Sequence, residues 1–164
     1  MSGAVDVRAA TVADVEPIYA FIVELAEYER SRDQVVGTPE LLADALFGPH
    51  PAAEALIAEH DGEPAGFAIF CASFSTWECR PGLWLEDLYV SPAHRRAGLG
   101  GVLLSRLAEI ALNRGCPRLE WTALEWNQPA LDFYTRLGAT RLPEWQRHRL
   151  SGSALQRVAG LPPR

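Results

Sequence analysis

No apolar run in this 164-residue sequence approaches the roughly 20 residues needed to span a bilayer, so no membrane partner is expected. The opening stretch Met1-Ser2-Gly3-Ala4-Val5-Asp6 lacks a basic flank followed by a long apolar segment. No signal peptide is therefore expected, and the expected address is the cytoplasm. Cysteine is scarce. Cys71, Cys79 and Cys116 are an odd set without C-x-x-C spacing, which argues against a disulfide framework or a structural zinc site. Cys71 lies in an apolar run and reads as a small core residue rather than a nucleophile. The four histidines, His50, His60, His94 and His148, are scattered with no i, i+4 pair, so no metal is expected. Positive charge is also short: 15 basic residues face 21 acidic ones, a net charge of −6. That balance speaks against a nucleic-acid partner and is compatible with a cationic substrate. Repeats, low-complexity stretches and linkers are absent, and the length suits a single domain over residues 1–164.

What is present reads as alternating strands and helices. Val5 to Ala9 has the look of a short strand, and Thr11 with Asp14 three residues on resembles a capping box. The helix it opens places Val15, Ile18, Tyr19, Ile22, Leu25 and Ala26 at spacings of three and four and should end near Glu29. Thr38-Pro39 starts a second helix through Leu46. Strands are expected over Ala55–Glu59 and Ala65–Phe74, joined at Asp61-Gly62, and over Leu83–Val90. Val102 to Arg114 predicts a helix stopped by Gly115, and Leu119 to Leu124 a strand. Pro129 opens a helix to about Leu137, and Arg147–Leu150 predicts a final strand. The order β-α-α-β-β-β-α-β-α-β implies an α/β fold, a mixed sheet with helices on both faces.

The most informative stretch runs from Leu85 to Gly101, LEDLYVSPAHRRAGLGG. A strand leads into a basic, glycine-rich turn and directly into an amphipathic helix. A helix start leaves backbone N–H groups unpaired and partly positive, and glycines let them close around an anion. With Arg95 and Arg96 alongside, this is a site for a phosphate or pyrophosphate. The P-loop ending Gly-Lys-Ser/Thr is missing, and Leu103 stands where G-x-G-x-x-G needs its third glycine. The pattern R/Q-x-x-G-x-G/A is met by Arg95, Gly98 and Gly100.

That pattern resembles the GNAT superfamily of acetyltransferases, in which it cradles the pyrophosphate of coenzyme A. The resemblance extends from about Val7 to Leu150 and is strongest to the diamine (spermidine/spermine) acetyltransferase branch. Glu24-Leu25-Ala26-Glu27-Tyr28-Glu29, Leu85-Glu86-Asp87, Glu125-Trp126-Asn127 and Asn127-Gln128-Pro129-Ala130-Leu131-Asp132-Phe133-Tyr134 carry it. It implies a GNAT-like, mainly antiparallel central sheet, acetyl-CoA as co-substrate, and a homodimer.

Acetylating an amine requires the ammonium to lose a proton before it attacks the thioester. Regular strand alternation puts Glu86 on the face of Trp84, Leu88 and Val90, where apolar neighbours would raise its pKa; an ordinary half-exposed strand acid fits the same residues. The resemblance makes Glu86 the carboxylate that meets the amine and a candidate base. Tyr134 shares a helix face with Ala130 and could equally be an aromatic core residue. The resemblance makes it the proton donor to the departing thiolate.

The resemblance further implies that Leu88, Tyr89 and Val90 pair with the pantetheine arm, the N–H of Tyr89 or Val90 receiving the oxyanion. Arg96, Ala97, Gly98, Leu99, Gly100 and Gly101 would hold the pyrophosphate beside Arg95. Asn127, Pro129 and Ala130 would line the opposite wall. Tyr28, Glu29 and Glu144 match positions facing the amine. The expected function is acetyl transfer from acetyl-CoA to a primary amine of a polyamine, a diamine or a lysine analogue such as thialysine. A protein-amine acetyltransferase and a silent acyl-CoA-binding module are the alternatives.

Overall fold

The computed structural model describes residues 3–95 and 97–160. Arg96, one of the expected pyrophosphate contacts, lies outside the described residues. The chain forms two compact units, Met1–Thr122 and Ala123–Arg164.

In the first unit β1 (Val5–Ala9) ends before Thr11, whose backbone N–H and hydroxyl both donate to Asp14 Oδ2, at 2.7 and 3.0 Å. This box caps a single 3-10 turn, Val12–Asp14, which runs on into α1 (Val15–Tyr28). Arg8 grips the same carboxylate with two bonds, 2.8 and 2.9 Å, and reaches Glu59 at 2.6 Å. One cation thus ties β1 and β2 (Glu54–His60) to the start of α1. Helix α2 (Pro39–Phe47) is capped by the Thr38 hydroxyl, which accepts from the Leu41 N–H.

The sheet continues with β3 (Glu63–Ser75), β4 (Arg80–Val90) and β5 (Leu119–Glu120), in spatial order β1-β2-β3-β4-β5. All neighbours are antiparallel except β4 and β5, which run parallel. Asp61 and Gly62, both with positive φ, make the β2–β3 turn. On one face Ile57, Phe67, Ile69 and Tyr89 pack against Ile18 and Phe21 of α1 and Leu46 of α2. The alternate residues, among them Leu56, Ala68, Phe70 and Leu85, face α3 (Leu99–Asn113), which brings Leu103, Leu104, Leu107 and Ala111 to the strands. A side chain as buried as Phe67 or Leu107 contributes about 1.5–3 kcal/mol. Helices therefore cover both faces of a mainly antiparallel mixed sheet, as the element order implies.

In the second unit α4 (Gln128–Arg136) and α5 (Gly152–Ala159) are the regular elements among the described residues. The expected strand Arg147–Leu150 does not form; these residues are exposed and have no ladder partner among the described residues. The expected strand Leu119–Leu124 is cut to Leu119–Glu120, because only Leu83 and Trp84 of β4 pair with it. Helix α5 is absent from the sequence reading.

Candidate functional site

The centre of the site is a break in the β3–β4 ladder. Asp87 pairs with Ile69, yet Leu85 pairs with Phe70, so Glu86 is the extra residue of β4 at this register shift. This is a β-bulge, and it reverses the alternation of side chains along β4. Trp84, opposite Cys71, falls on the α1 face, whereas Leu88, opposite Ala68, and Val90, opposite Gly66, fall on the α3 face. The expected common face of Trp84, Glu86, Leu88 and Val90 is therefore split. Glu86 is exposed rather than set among apolar neighbours, and its Oε2 accepts the Trp84 indole N–H at 2.7 Å.

The residue turned inward is its neighbour. Asp87 shares the α1 face with Tyr89 and is half-buried. Burial pushes its carboxyl up to about 6, and the charges of Glu86 and Glu29 push the same way. Glu29, at the C-terminal end of α1, is likewise raised by burial. Glu29, Glu86 and Asp87 thus form one acidic corner where α1 ends over β4. Tyr28, 37% exposed, stands beside it on α1.

Beyond the bulge β4 leaves one edge open. The Ser91 N–H bonds to Ala65 O at 2.9 Å. Antiparallel pairs alternate, so in this register Tyr89 exchanges its backbone bonds with Phe67, while Leu88 and Val90 direct theirs to the other side. Strand β5 pairs with β4 only at Leu83 and Trp84, so within this unit it does not cover that side. Of the two expected oxyanion donors, Val90 fits this geometry and Tyr89 does not.

The turn after β4 leads to the start of α3. Gly98 has φ of 81°, a left-handed conformation that an L side chain resists, and a Cβ there would meet nothing within 4 Å. The N–H groups of Gly101 and Val102 turn back to Gly98 O, leaving Leu99 and Gly100 to present theirs beyond the helix end. The helix starts at Leu99, three residues before the expected Val102, since Gly100 and Gly101 are helical. Ala97 is exposed. Arg95 turns back towards β4: its Nε donates to Val90 O at 3.2 Å, and its guanidinium lies 5.0 Å from the Tyr28 ring centre and 5.8 Å from that of Tyr89. Tyr89 itself is buried, donates to Glu24 Oε2 at 3.0 Å, and is pushed up to about 12, by burial first and that carboxylate second.

In the second unit Asn127 O accepts from the N–H groups of Ala130 and Leu131, setting the first turn of α4, with Pro129 in it. Tyr134 lies one turn beyond Ala130, half-buried, its ring 5.4 Å from that of Phe133. Glu144 is exposed in a turn of the same unit. The structure thus brings Tyr28, Glu29 and Glu86 together in the first unit, whereas Glu144 belongs to the second.

Sequence reasoning missed Asp87 and the Glu24–Tyr89–Arg95 contacts. The motif Leu85-Glu86-Asp87 contained the signal for Asp87, but its orientation depends on β3. Among the described residues no group of three or more His, Cys, Asp or Glu could hold a metal ion, and no helix is long and apolar enough to cross a membrane.

An open strand edge leading into a glycine turn and a helix start is an arrangement for an extended, amide-bearing phosphate compound. Comparison with known proteins agrees. The family model described as Acetyltransferase (GNAT) family matches residues 18–139. A thialysine N-epsilon-acetyltransferase of Bos taurus is 39% identical over 165 residues, covering 94% of this chain and 96% of that protein. One from Caenorhabditis elegans is 37% identical over 147 residues, covering 88% and 90%. Among solved structures, an integron cassette protein from the mobile metagenome of V. cholerae superposes with a TM-score of 0.79 at 28% identity, covering 98% of this chain and 99% of that one. The glycine turn and the acidic corner thus stand on a known scaffold: the chain belongs to the GNAT family and is an N-acetyltransferase.

Proposed function

We propose that the protein transfers the acetyl group of acetyl-CoA to a primary amine of a small lysine-like or polyamine molecule. The acidic corner of Glu29, Glu86 and Asp87 carries this reading, because three carboxyl groups at the end of α1 suit a cationic acceptor. The thialysine acetyltransferases support it.

The residues present fit acetyl-CoA. The outward N–H and C=O groups of Leu88 and the N–H of Val90 match the amides of a pantetheine arm, and the start of α3 at Gly98, Leu99, Gly100 and Gly101 suits a pyrophosphate. Arg96 and Ala97 complete that loop in sequence, and Asn127, Pro129 and Ala130 are the proposed second wall. Acetyl-CoA supplies an activated acyl group. The Val90 N–H stabilises negative charge as it builds on the acetyl oxygen. Tyr134 protonates the departing sulfur. Glu86 binds the incoming ammonium, with Tyr28 and Glu29 beside it, and Glu144 is a further acceptor contact.

The wider reading places the enzyme in the cytoplasm as a homodimer. Three free thiols suit a reducing compartment. Exposed Leu142, Trp145, Leu150, Leu155 and Val158 give the second unit apolar surface for a partner copy.

A thiol-release assay with acetyl-CoA tests this against thialysine, lysine, spermidine, spermine, putrescine and a lysine-containing peptide, with sedimentation of the same sample reporting its mass. The chain contains no lysine, so its own side chains add no acceptor. Saturable release with a small amine is expected. Release with the peptide alone would make it a protein acetyltransferase, and acetyl-CoA binding without release would make it a binding module.

A further inference from the structure

We propose that Trp84 is a positioning residue for acetyl transfer, its indole N–H holding the Glu86 carboxylate where the acceptor ammonium binds. The inference rests on the acetyltransferase reading above and adds a residue that reading leaves unused.

Glu86 needs a restraint from outside its own side chain. It is exposed, and it is the extra residue of β4 at the register shift between Ile69 and Phe70. A glutamate side chain has several rotatable bonds, and gripping a cation with it means losing that freedom. Asp87, the next residue along, carries like charge and repels the carboxylate.

Trp84 supplies the restraint. Its place is set by backbone pairing on both sides, opposite Cys71 on β3 and Glu120 on β5, and its side chain is half-buried. Strand β5 pairs with β4 no further than this residue, so Trp84 stands where the flanked part of the strand gives way to the open edge. On a regular strand, residues two places apart share a face at a spacing of roughly 6.6 Å, and their side chains stand side by side. Here the bulge re-aims the second of the pair, and Trp84 Nε1 donates to Glu86 Oε2 at 2.7 Å.

The indole suits this task chemically. It is a donor only and carries no charge, so it orients the carboxylate without cancelling the negative charge that attracts an ammonium. A neighbouring arginine or lysine would cancel it. A carboxylate accepts several hydrogen bonds at once, so holding Oε2 leaves the group able to bind a cation. The ring is rigid and turns about few bonds, so little freedom is lost in fixing it.

The test is a double-mutant cycle on Trp84→Phe and Glu86→Ala, with thialysine and spermidine as acceptors and acetyl-CoA affinity measured on each variant. Trp84→Phe keeps an aromatic ring and removes the N–H. It should raise KM for the amine roughly 10-fold, with kcat and acetyl-CoA affinity nearly unchanged, as the loss of a hydrogen bond to a charged group would. In the Glu86→Ala background the same change should cost nothing more, since the indole then has no carboxylate to hold. A second readout is independent of turnover and of how well Trp84→Phe folds. The indole nitrogen–proton NMR resonance of Trp84, assigned through its neighbours in the chain, should move upfield in Glu86→Ala and respond to thialysine in wild type. A wild-type KM in Trp84→Phe, losses that add in the double variant, or an indole resonance indifferent to Glu86→Ala would each overturn the proposal. A wild type that acetylates neither amine would overturn the acetyltransferase reading with it, so the two failures are distinguishable.

Discussion

Glu86 and Asp87 differ by one methylene group and one place in the chain, yet their surroundings separate them. Glu86 lies in water against an indole N–H, and Asp87 sits under α1. The folded value of Asp87, about 6, lies above the ordinary 3.8 of such a carboxyl, so the folded chain holds this proton longer than the unfolded chain does. Its contribution to stability is fully present below 3.8 and is lost as pH rises through about 6. An acid kept at that cost under neutral conditions points to function rather than stability. Tyr134 belongs to the same scale. Tyr134→Phe removes one hydroxyl and keeps the ring against Phe133. Turnover should fall roughly 10- to 1,000-fold with acetyl-CoA affinity nearly constant, as stopped-time product assays and titration calorimetry would read. Full turnover in that variant would remove Tyr134 from the role of acid.

Among the elements, the turn into α3 makes a sharp demand at Gly98. Alanine there would find open space but the wrong φ, a strain of roughly 1–2 kcal/mol. Gly98→Ala should keep the fold and weaken acetyl-CoA binding about 10-fold by calorimetry; unchanged affinity would separate the turn from cofactor binding. Elements governed by local signals were legible in the sequence. β1 appears over the expected Val5–Ala9, Thr38 and Pro39 start α2, and α4 follows Asn127. The bulge at Glu86 was not legible, because an extra residue exists only relative to a partner strand. Strand β5 was read as too long for the same reason, since pairing with β4 rather than propensity sets its length. Helix α5 was missed because it is short and carries few large apolar residues, Leu155 and Val158. The glycine turn at the start of α3 could be named from its motif, whereas Arg95 turning back to Val90 O could not.

On the scale of the whole molecule, acid should act through Arg8. The guanidinium holds Asp14 down to about 2 from its ordinary 3.8, chiefly by its hydrogen bonds. A depressed carboxylate contributes stability above its unfolded value and loses it as pH falls through the folded one. Thermal melts should therefore show wild type losing this contribution between about pH 4 and pH 2. Asp14→Asn should already be less stable at neutral pH, by about 1–3 kcal/mol, with the half-exposed Arg8 favouring the lower end. Equal melting of the two proteins at pH 7 would show that the cluster adds little.

The open side of β4 has a consequence for the life of the protein without its co-substrate. Unpaired N–H and C=O groups on a strand invite any other extended chain, and long bare edges seed aggregates. Here the bare stretch is brief. The bulge at Glu86 interrupts it at one end, and Pro92, which has no N–H to offer, closes it at the other. An edge this short is a poor template for a foreign strand.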